Sequence, residues 1–432
     1  MKVLFAHDNR FIRHDGQIWS EGQFGADGWQ RYLDYFDALT VVAREGVLPD
    51  RPLAQLTRSS RDKVSFHFFQ DLSNFRNLTM SRLFAMRRMR DLVRDHDAVV
   101  ARLHSEIGLL AAVAAEREGK PCCIEIVGCP RDGLWNYGGL KARFYAPLAA
   151  ARLRGAARRA AHTVYVTNAF LQDRYPTQAG NILAGSDVTL RPPDRAALAR
   201  KLDEIADRRL RDPVRLGMIG TLQGRSKGIQ VLLRALAQAR PQLPALKLRI
   251  LGQGDIRAWM REATEIGVAD LVQFDGTLPS QELVLKWLGD IDVYIQPSLQ
   301  EGLPRALIEA MSQGCPAIAS TAGGIPELLP GEDLVPPDDH RALGVLLAMR
   351  LVDTGWMKHS ASRNWERAQD FDPAILNPRR DAFWREFQRR IQLRNGEIEV
   401  VAPDRSMRVA DEILFPARMN PSGRAILTQI GA

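Results

Sequence analysis

Glu301 and Glu309 are the residues of this chain whose type and spacing first suggest chemistry, because seven residues separate them inside a stretch, Pro297 to Glu327, rich in small and helix-punctuating residues. Pro304 suits the first turn of a helix, where its missing N–H costs nothing, and Gly314 suits the left-handed position just past the end. The spacing predicts one short helix over 304–313. Leu303, Ala306, Leu307, Ala310 and Met311 recur at three- and four-residue steps and make a complete buried face without any charged residue. Glu309 falls on a different face, beside Arg305. Ile291, Val293 and Ile295 alternate as a strand ending at Pro297, and Pro316 to Ala319 reads as the next, so the helix starts just past a strand's C-terminal end.

In open α/β sheets ligands bind at that edge, and free N–H groups at a helix start form an anion site. Gly302 would let a phosphate approach closely, under the N–H groups of Gly302 and Leu303. Glu301, at the lip, is too close to a diphosphate unless it touches something else, and a sugar hydroxyl fits. A second turn of this kind, Gly220 to Gly228, follows the strand Leu216 to Ile219 and combines three glycines with Arg225 and Lys227. That is the composition a diphosphate requires. Gly252-Gln253-Gly254 lacks the third glycine of a dinucleotide fingerprint and reads as a tight strand-to-helix turn. Asp290-Ile291-Asp292 leads directly into a buried strand, where a metal site does not fit.

The 297–327 stretch resembles the signature of glycosyltransferase family 4, in which two glutamates seven residues apart precede a small-residue run and Gly-Gly-Ile-Pro-Glu. The resemblance implies an α/β protein of GT-B fold: two Rossmann-like domains facing across a cleft, with a C-terminal helix crossing back to the first. It also implies a nucleotide-sugar donor, transfer with retention at the anomeric carbon, and no metal or other cofactor. On the matching positions Glu301 would contact the donor sugar and Glu309 the ribose. The Gly220–Gly228 turn resembles the family's phosphate loop, in which an arginine and, six residues on, a lysine hold the diphosphate. Lys227 matches the lysine, Thr221 stands in the arginine's place, and Arg225 is the residue that would compensate. Some members place a histidine after a first-domain strand near the donor sugar, and His104 is the candidate here. Asp132 and Trp135, in the turn after the strand Cys122 to Val127, are candidate acceptor contacts.

A chain of 432 residues suits two domains. The first would span 1–193 and the second, binding the nucleotide sugar, 214–375, with a helical linker at 194–213 holding the hinge. A helix over 376–394 would return to the first domain, and 395–432 has no matching role beyond a short strand, Ile398 to Val401. In the first domain, residues 2–6 read as a buried strand followed by a long polar turn, Asp8 to Asp27, whose Gly22, Gly25 and Gly28 are candidates for close backbone approach.

Lys and Arg number 59 against 51 Asp and Glu, a net +8, which favours an acidic partner such as a nucleotide or an anionic lipid. Two basic amphipathic segments, 81–94 and 140–161, could rest on an anionic membrane surface, the second kinked or divided at Pro147. No compact basic-aromatic motif points to nucleic acid. Cys122, Cys123, Cys129 and Cys315 show neither metal-ligand nor disulfide spacing and read as reduced core residues. No run approaches the length of a membrane span, and the opening residues read as a strand edge, so a cytosolic protein, on the cytosolic face of a membrane if it binds one, is expected.

The function expected is transfer of a sugar from a nucleotide sugar to an acceptor hydroxyl, on a lipid-linked or polysaccharide glycan intermediate. Two rivals stand beside it. A sugar-nucleotide epimerase of the same fold would need an acidic residue over the sugar in the first domain, and a non-catalytic nucleotide-sugar-binding protein would bind donor and consume no acceptor.

Overall fold

The computed structural model describes residues 1–397 apart from 22, 23, 50–52, 54, 55, 71–79, 138, 189, 192, 193, 208–212 and 279. Met1–Ile391 form one compact unit, and Gln392–Ala432 a second of which 392–397 are described. Gly22 and the expected strand at 398–401 lie outside the described residues.

Two sheets organise the first unit. One holds β1 (Lys2–His14), β2 (Gln17–Ser20), β3 (Ala38–Gly46), β4 (Thr57–Arg58), β5 (Val64–Phe69), β6 (Ala98–Leu103), β7 (Cys122–Ile126), β8 (His162–Tyr165) and β9 (Asn181–Ala184). Its parallel part runs β5-β3-β1-β6-β7-β8-β9. The other holds β10 (Val214–Ile219), β11 (Leu246–Leu251), β12 (Val272–Gly276), β13 (Val293–Gln296), β14 (Ala317–Ser320) and β15 (Leu334–Val335), in the order β12-β11-β10-β13-β14-β15. Every pair in it is parallel, and β13 and β14 are buried at every position, as both faces of such a sheet are covered. The order reverses between β10 and β13, the switch point at which such sheets bind ligands.

The first strand corrects the sequence reading. β1 continues through His14 past a register shift at Ala6/Arg10, and β2 returns antiparallel on it. Asp15 and Gly16 both have positive φ, 48° and 69°, the backbone of a two-residue hairpin turn, while Phe11, Ile12 and Ile18 are buried. Among the described residues, this hairpin through Ser20 stands where the long glycine-bearing turn was expected. A Cβ on Gly25 would lie 2.7 Å from Thr57 Cγ2, and one on Gly28 would meet nothing within 4 Å.

Leu140–Arg159 is one helix through Pro147, not two. The expected linker at 194–213 holds the helix Arg195–Asp207, which packs on the second sheet's layer: buried Lys201 donates to the carbonyl of Ile291 at 3.0 Å, and Leu198 lies against Gly314. Burial of a lysine is tolerable there because carbonyl oxygens and Glu204 accept hydrogen bonds from its ammonium. The last helix, Pro373–Asn395, crosses back to the first sheet, where Phe383, Trp384, Phe387 and Ile391 share a core with Tyr32 and Phe36. Trp384 meets Tyr32 edge-on at 5.7 Å.

Candidate functional site

The helix Arg305–Ser312 begins after Pro304 and ends before Gly314, whose φ is 68°. Leu307, Ile308, Ala310 and Met311 are buried, Arg305 is exposed and Glu309 is half-buried. The preceding loop and the turn after β10 are interlocked. Leu299 N–H donates to Ser226 O at 2.7 Å, and Gly228, at φ 77°, comes so close to Pro297 that a Cβ would lie 1.9 Å from its carbonyl oxygen. Only glycine fits there. Gly220 in turn gives room to the stem of Lys227, whose Cγ would be 2.9 Å from an added Cβ.

This interlock brings Lys227 Nζ to 2.7 Å from Glu301 Oε1. Ser298 Oγ and Gln296 Nε2 donate to the same oxygen at 2.7 and 3.1 Å, while Tyr294 OH accepts from Ile219 N–H at 3.3 Å and donates to Gln296 Oε1 at 2.8 Å. Burial pushes the Tyr294 hydroxyl well above its ordinary range, so it stays a donor. The relay runs from the end of β10 through β13 to Glu301. Sequence reading missed its members, Tyr294, Gln296 and Ser298; polar side chains in a strand buried on both faces were the available signal.

Among the described residues, the N–H groups of Gly302 and Leu303 donate to no protein acceptor. Gly302 also has a steric reason to be glycine that the sequence did not show: a Cβ would lie 2.3 Å from the carbonyl oxygen of Val127, in the loop after β7. Asn136 Nδ2 donates to Leu299 O at 2.9 Å, and the Gln300 side chain packs on Gly133. The helix Pro130–Tyr137 of the first sheet's layer thus meets the Glu301 loop directly. The Gly-Gly-Ile-Pro-Glu segment adds a further tie, unread in the sequence: Glu327 accepts from Asn168, Ala169 and Phe170 N–H at 2.6, 3.1 and 2.8 Å, just past β8.

The remaining candidates divide. Glu309 accepts from Gln281 Nε2 at 3.4 Å, and burial raises its carboxyl above the usual range. Thr221 Oγ1 accepts from Gln223 N–H at 3.1 Å and is exposed. Arg225 is directed elsewhere: it donates to Glu262 at 2.6 Å and lies 5.4 Å over the Trp259 ring, because Ile256–Glu265 packs beside its turn. Asp132 is likewise engaged, accepting two bonds from Arg174 at 2.7 and 2.8 Å, and Trp135 is half-exposed under Arg143. The His104 ring lies over Gly128, neighbour of Val127, and remains solvent-accessible in a recess. The walls of that recess lower its pKa below the ordinary histidine value, against a backbone bond with Gly128. Asp292, of the paired-aspartate motif, is buried on Arg215 at 2.9 Å.

Residues 213–348 match the family described as Glycosyl transferases group 1. The chain is 25% identical to Protein CapJ of Staphylococcus aureus over 364 residues, covering 84% of this chain and 90% of CapJ. It is 32% identical to the amylovoran biosynthesis glycosyltransferase AmsK of Erwinia amylovora over 148 residues, 32% of this chain and 36% of AmsK. Anabaena HepE, solved with UDP and glucose, superposes with a TM-score of 0.56 at 18% identity, over 92% of this chain and 100% of HepE. The fold is therefore GT-B, and the family match over the second sheet together with the named relatives supports a glycosyltransferase.

Proposed function

We propose that this protein is a retaining glycosyltransferase of family 4 type that binds a nucleotide sugar mainly on the second domain, residues 214–375, and passes the sugar to an acceptor hydroxyl on the first. The observation that carries the reading is the Lys227–Glu301 pair at the β10/β13 switch point, beside the open N–H groups of Gly302 and Leu303. The UDP in HepE supports a uridine diphosphate donor.

In this reading the bond between anomeric carbon and phosphate oxygen breaks, positive charge grows on the sugar ring and negative charge on the leaving diphosphate. Lys227 exchanges Glu301 for that phosphate, and the two N–H groups donate to it, an electrostatic contribution of about 3–4 kcal/mol for one well-placed donor. Glu301, released, orients the sugar through its hydroxyls; Glu309 accepts from the ribose; His104 faces the sugar from the first domain. The departing phosphate takes the acceptor's proton. No metal is needed, since Lys227 and backbone dipoles carry the leaving charge. The acceptor is a lipid-linked or polysaccharide intermediate, a reading the name of AmsK supports.

The helices Met80–Arg94 and Leu140–Arg159, which expose Leu83, Phe84 and Phe144 among arginines, support a peripheral place on an anionic membrane surface. No described helix is long and apolar enough to cross a membrane.

The test is thermal stabilisation by UDP-, GDP- and ADP-sugars, where ligand at 100 times its dissociation constant adds about 2.7 kcal/mol. One base should stand out, with the shift lost in Glu309→Ala. An NMR assay of the product's anomeric proton then reads retention, and release of free sugar without an acceptor would move the reading to the epimerase class.

A further inference from the structure

We infer that the first domain holds a long-chain lipid phosphate as its acceptor, with the hydrocarbon chain in a cavity between the helices Glu106–Arg117, Pro130–Tyr137 and Leu140–Arg159 and the phosphate at the cations on its wall. The identity of the group transferred rests on the glycosyltransferase reading; the binding of the lipid does not.

The cavity has a volume of about 760 Å³, within the range of pockets that enclose a small-molecule ligand. Its walls are largely aliphatic: Leu109, Leu134, Leu148, Ala149 and Leu153 line it. A glycan alone presents hydroxyls that need donors and acceptors all round, and these walls supply few. An uncharged chain alone would give no reason for Arg82, Lys141 and Arg152 to line the same cavity.

Those three cations exceed the acidic groups facing them. Arg82 and Arg152 share one carboxylate, Glu106, at 3.1 and 2.6 Å, and Tyr145 OH donates to it at 2.9 Å. The other lining acid, Asp8, already accepts from the N–H groups of Glu106 and Ile107 at 2.7 and 3.0 Å, so the start of that helix offsets its charge. Lys141 is exposed at the mouth. An apolar chamber with surplus positive charge at one side is complementary to an alkyl phosphate.

Position joins the chamber to the reaction centre. His104 lines it, lies over Gly128, and through Val127 adjoins Gly302. In the proposal a head group at the cations extends toward His104, the residue that lines both the chamber and the way to the donor site. At the outer end Leu140 is 74% exposed and Phe144 84%, and Leu83 and Phe84, in the helix that carries Arg82, are exposed as well. Such side chains suit the boundary between lipid head groups and hydrocarbon, from which a chain would enter.

The experiment titrates the full chain with decyl phosphate below its micelle concentration, with inorganic phosphate and decanol as controls, and measures donor-induced thermal shift in parallel. Decyl phosphate should bind at least tenfold tighter than either control. Ala149→Trp, which fills the chamber, and Lys141→Glu should each weaken it about tenfold and leave the donor shift unchanged. If Ala149→Trp does not fold, Leu148→Glu at the half-exposed mouth replaces it. Equal binding of decyl phosphate and either control, or unaltered binding in the folded variants, overturns the inference. Chain-dependent phosphate binding without any donor shift would uphold the chamber while sinking the glycosyltransferase reading; a donor shift without chain-dependent binding would sink the chamber alone.

Discussion

The ammonium of Lys227 lies 2.7 Å from Glu301 Oε1, an oxygen that also accepts from Ser298 and Gln296. One carboxylate oxygen thus gathers three donors, and the cation is the one on a flexible stem. In the proposed mechanism Lys227 moves to the leaving phosphate while the two neutral donors keep Glu301 in place. Lys227→Met is expected to lower kcat about 100-fold or more, since one donor to a developing charge is worth about 3–4 kcal/mol. Glu301→Gln should keep donor binding and lose rate. Steady-state kinetics reads both, and a Lys227→Met enzyme with over half the normal kcat would remove the lysine from the mechanism.

Glu309 carries a pH dependence. Burial raises its carboxyl pKa above the usual range, and Gln281 and Arg305 oppose that only in part. If the ionised form grips the ribose, donor affinity falls on acidification at a higher pH than an exposed glutamate would give, and is fully present above the raised pKa. Dissociation constants measured from neutral pH downward should show this limb, and Glu309→Gln should flatten it.

Glu327 ties the two sheets' layers through three backbone N–H groups. Each is a charge-assisted bond, discounted by partial exposure. Glu327→Gln is expected to cost about 1–2 kcal/mol, a fall of a few degrees in Tm for a chain of this size. A melting temperature equal to the unmodified protein's would show that the carboxylate contributes nothing to holding the layers together.

His162 sits under the returning helix, its ring 4.9 Å from Phe387, with its pKa lowered to about 4 chiefly by burial. The unfolded chain protonates near the ordinary value and the folded one only near 4, so the unfolded state binds more protons in between. Stability from this group is complete above about 6.5 and declines as pH falls toward 4, by about 1–2 kcal/mol after allowing for solvent screening. Urea titrations at pH 7 and pH 4.5 should show the loss, and His162→Phe should reduce it.

The sequence by itself determined the local geometry around the two glutamates. Pro304 and Gly314 bounded the helix to within a residue, and alternating apolar positions located the strands on either side. Such signals are local: ring closure at proline, positive φ at glycine and burial periodicity act within a few residues. Asp15-Gly16 was an equally local hairpin signal that the long-turn reading passed over.

Tertiary structure alone decided which groups meet. Lys227 reaches Glu301 because β10 and β13 are neighbours at the switch point, 74 residues apart in the chain. Arg225, two residues before that lysine, is captured by Glu262 and Trp259, and Asp132 by Arg174. Gly302 is held to glycine by a carbonyl from the other sheet's layer. The physical reason is common to all of them: a charged or polar side chain takes the partner that sheet order and helix packing place within about 3 Å, and no periodicity or spacing records that choice.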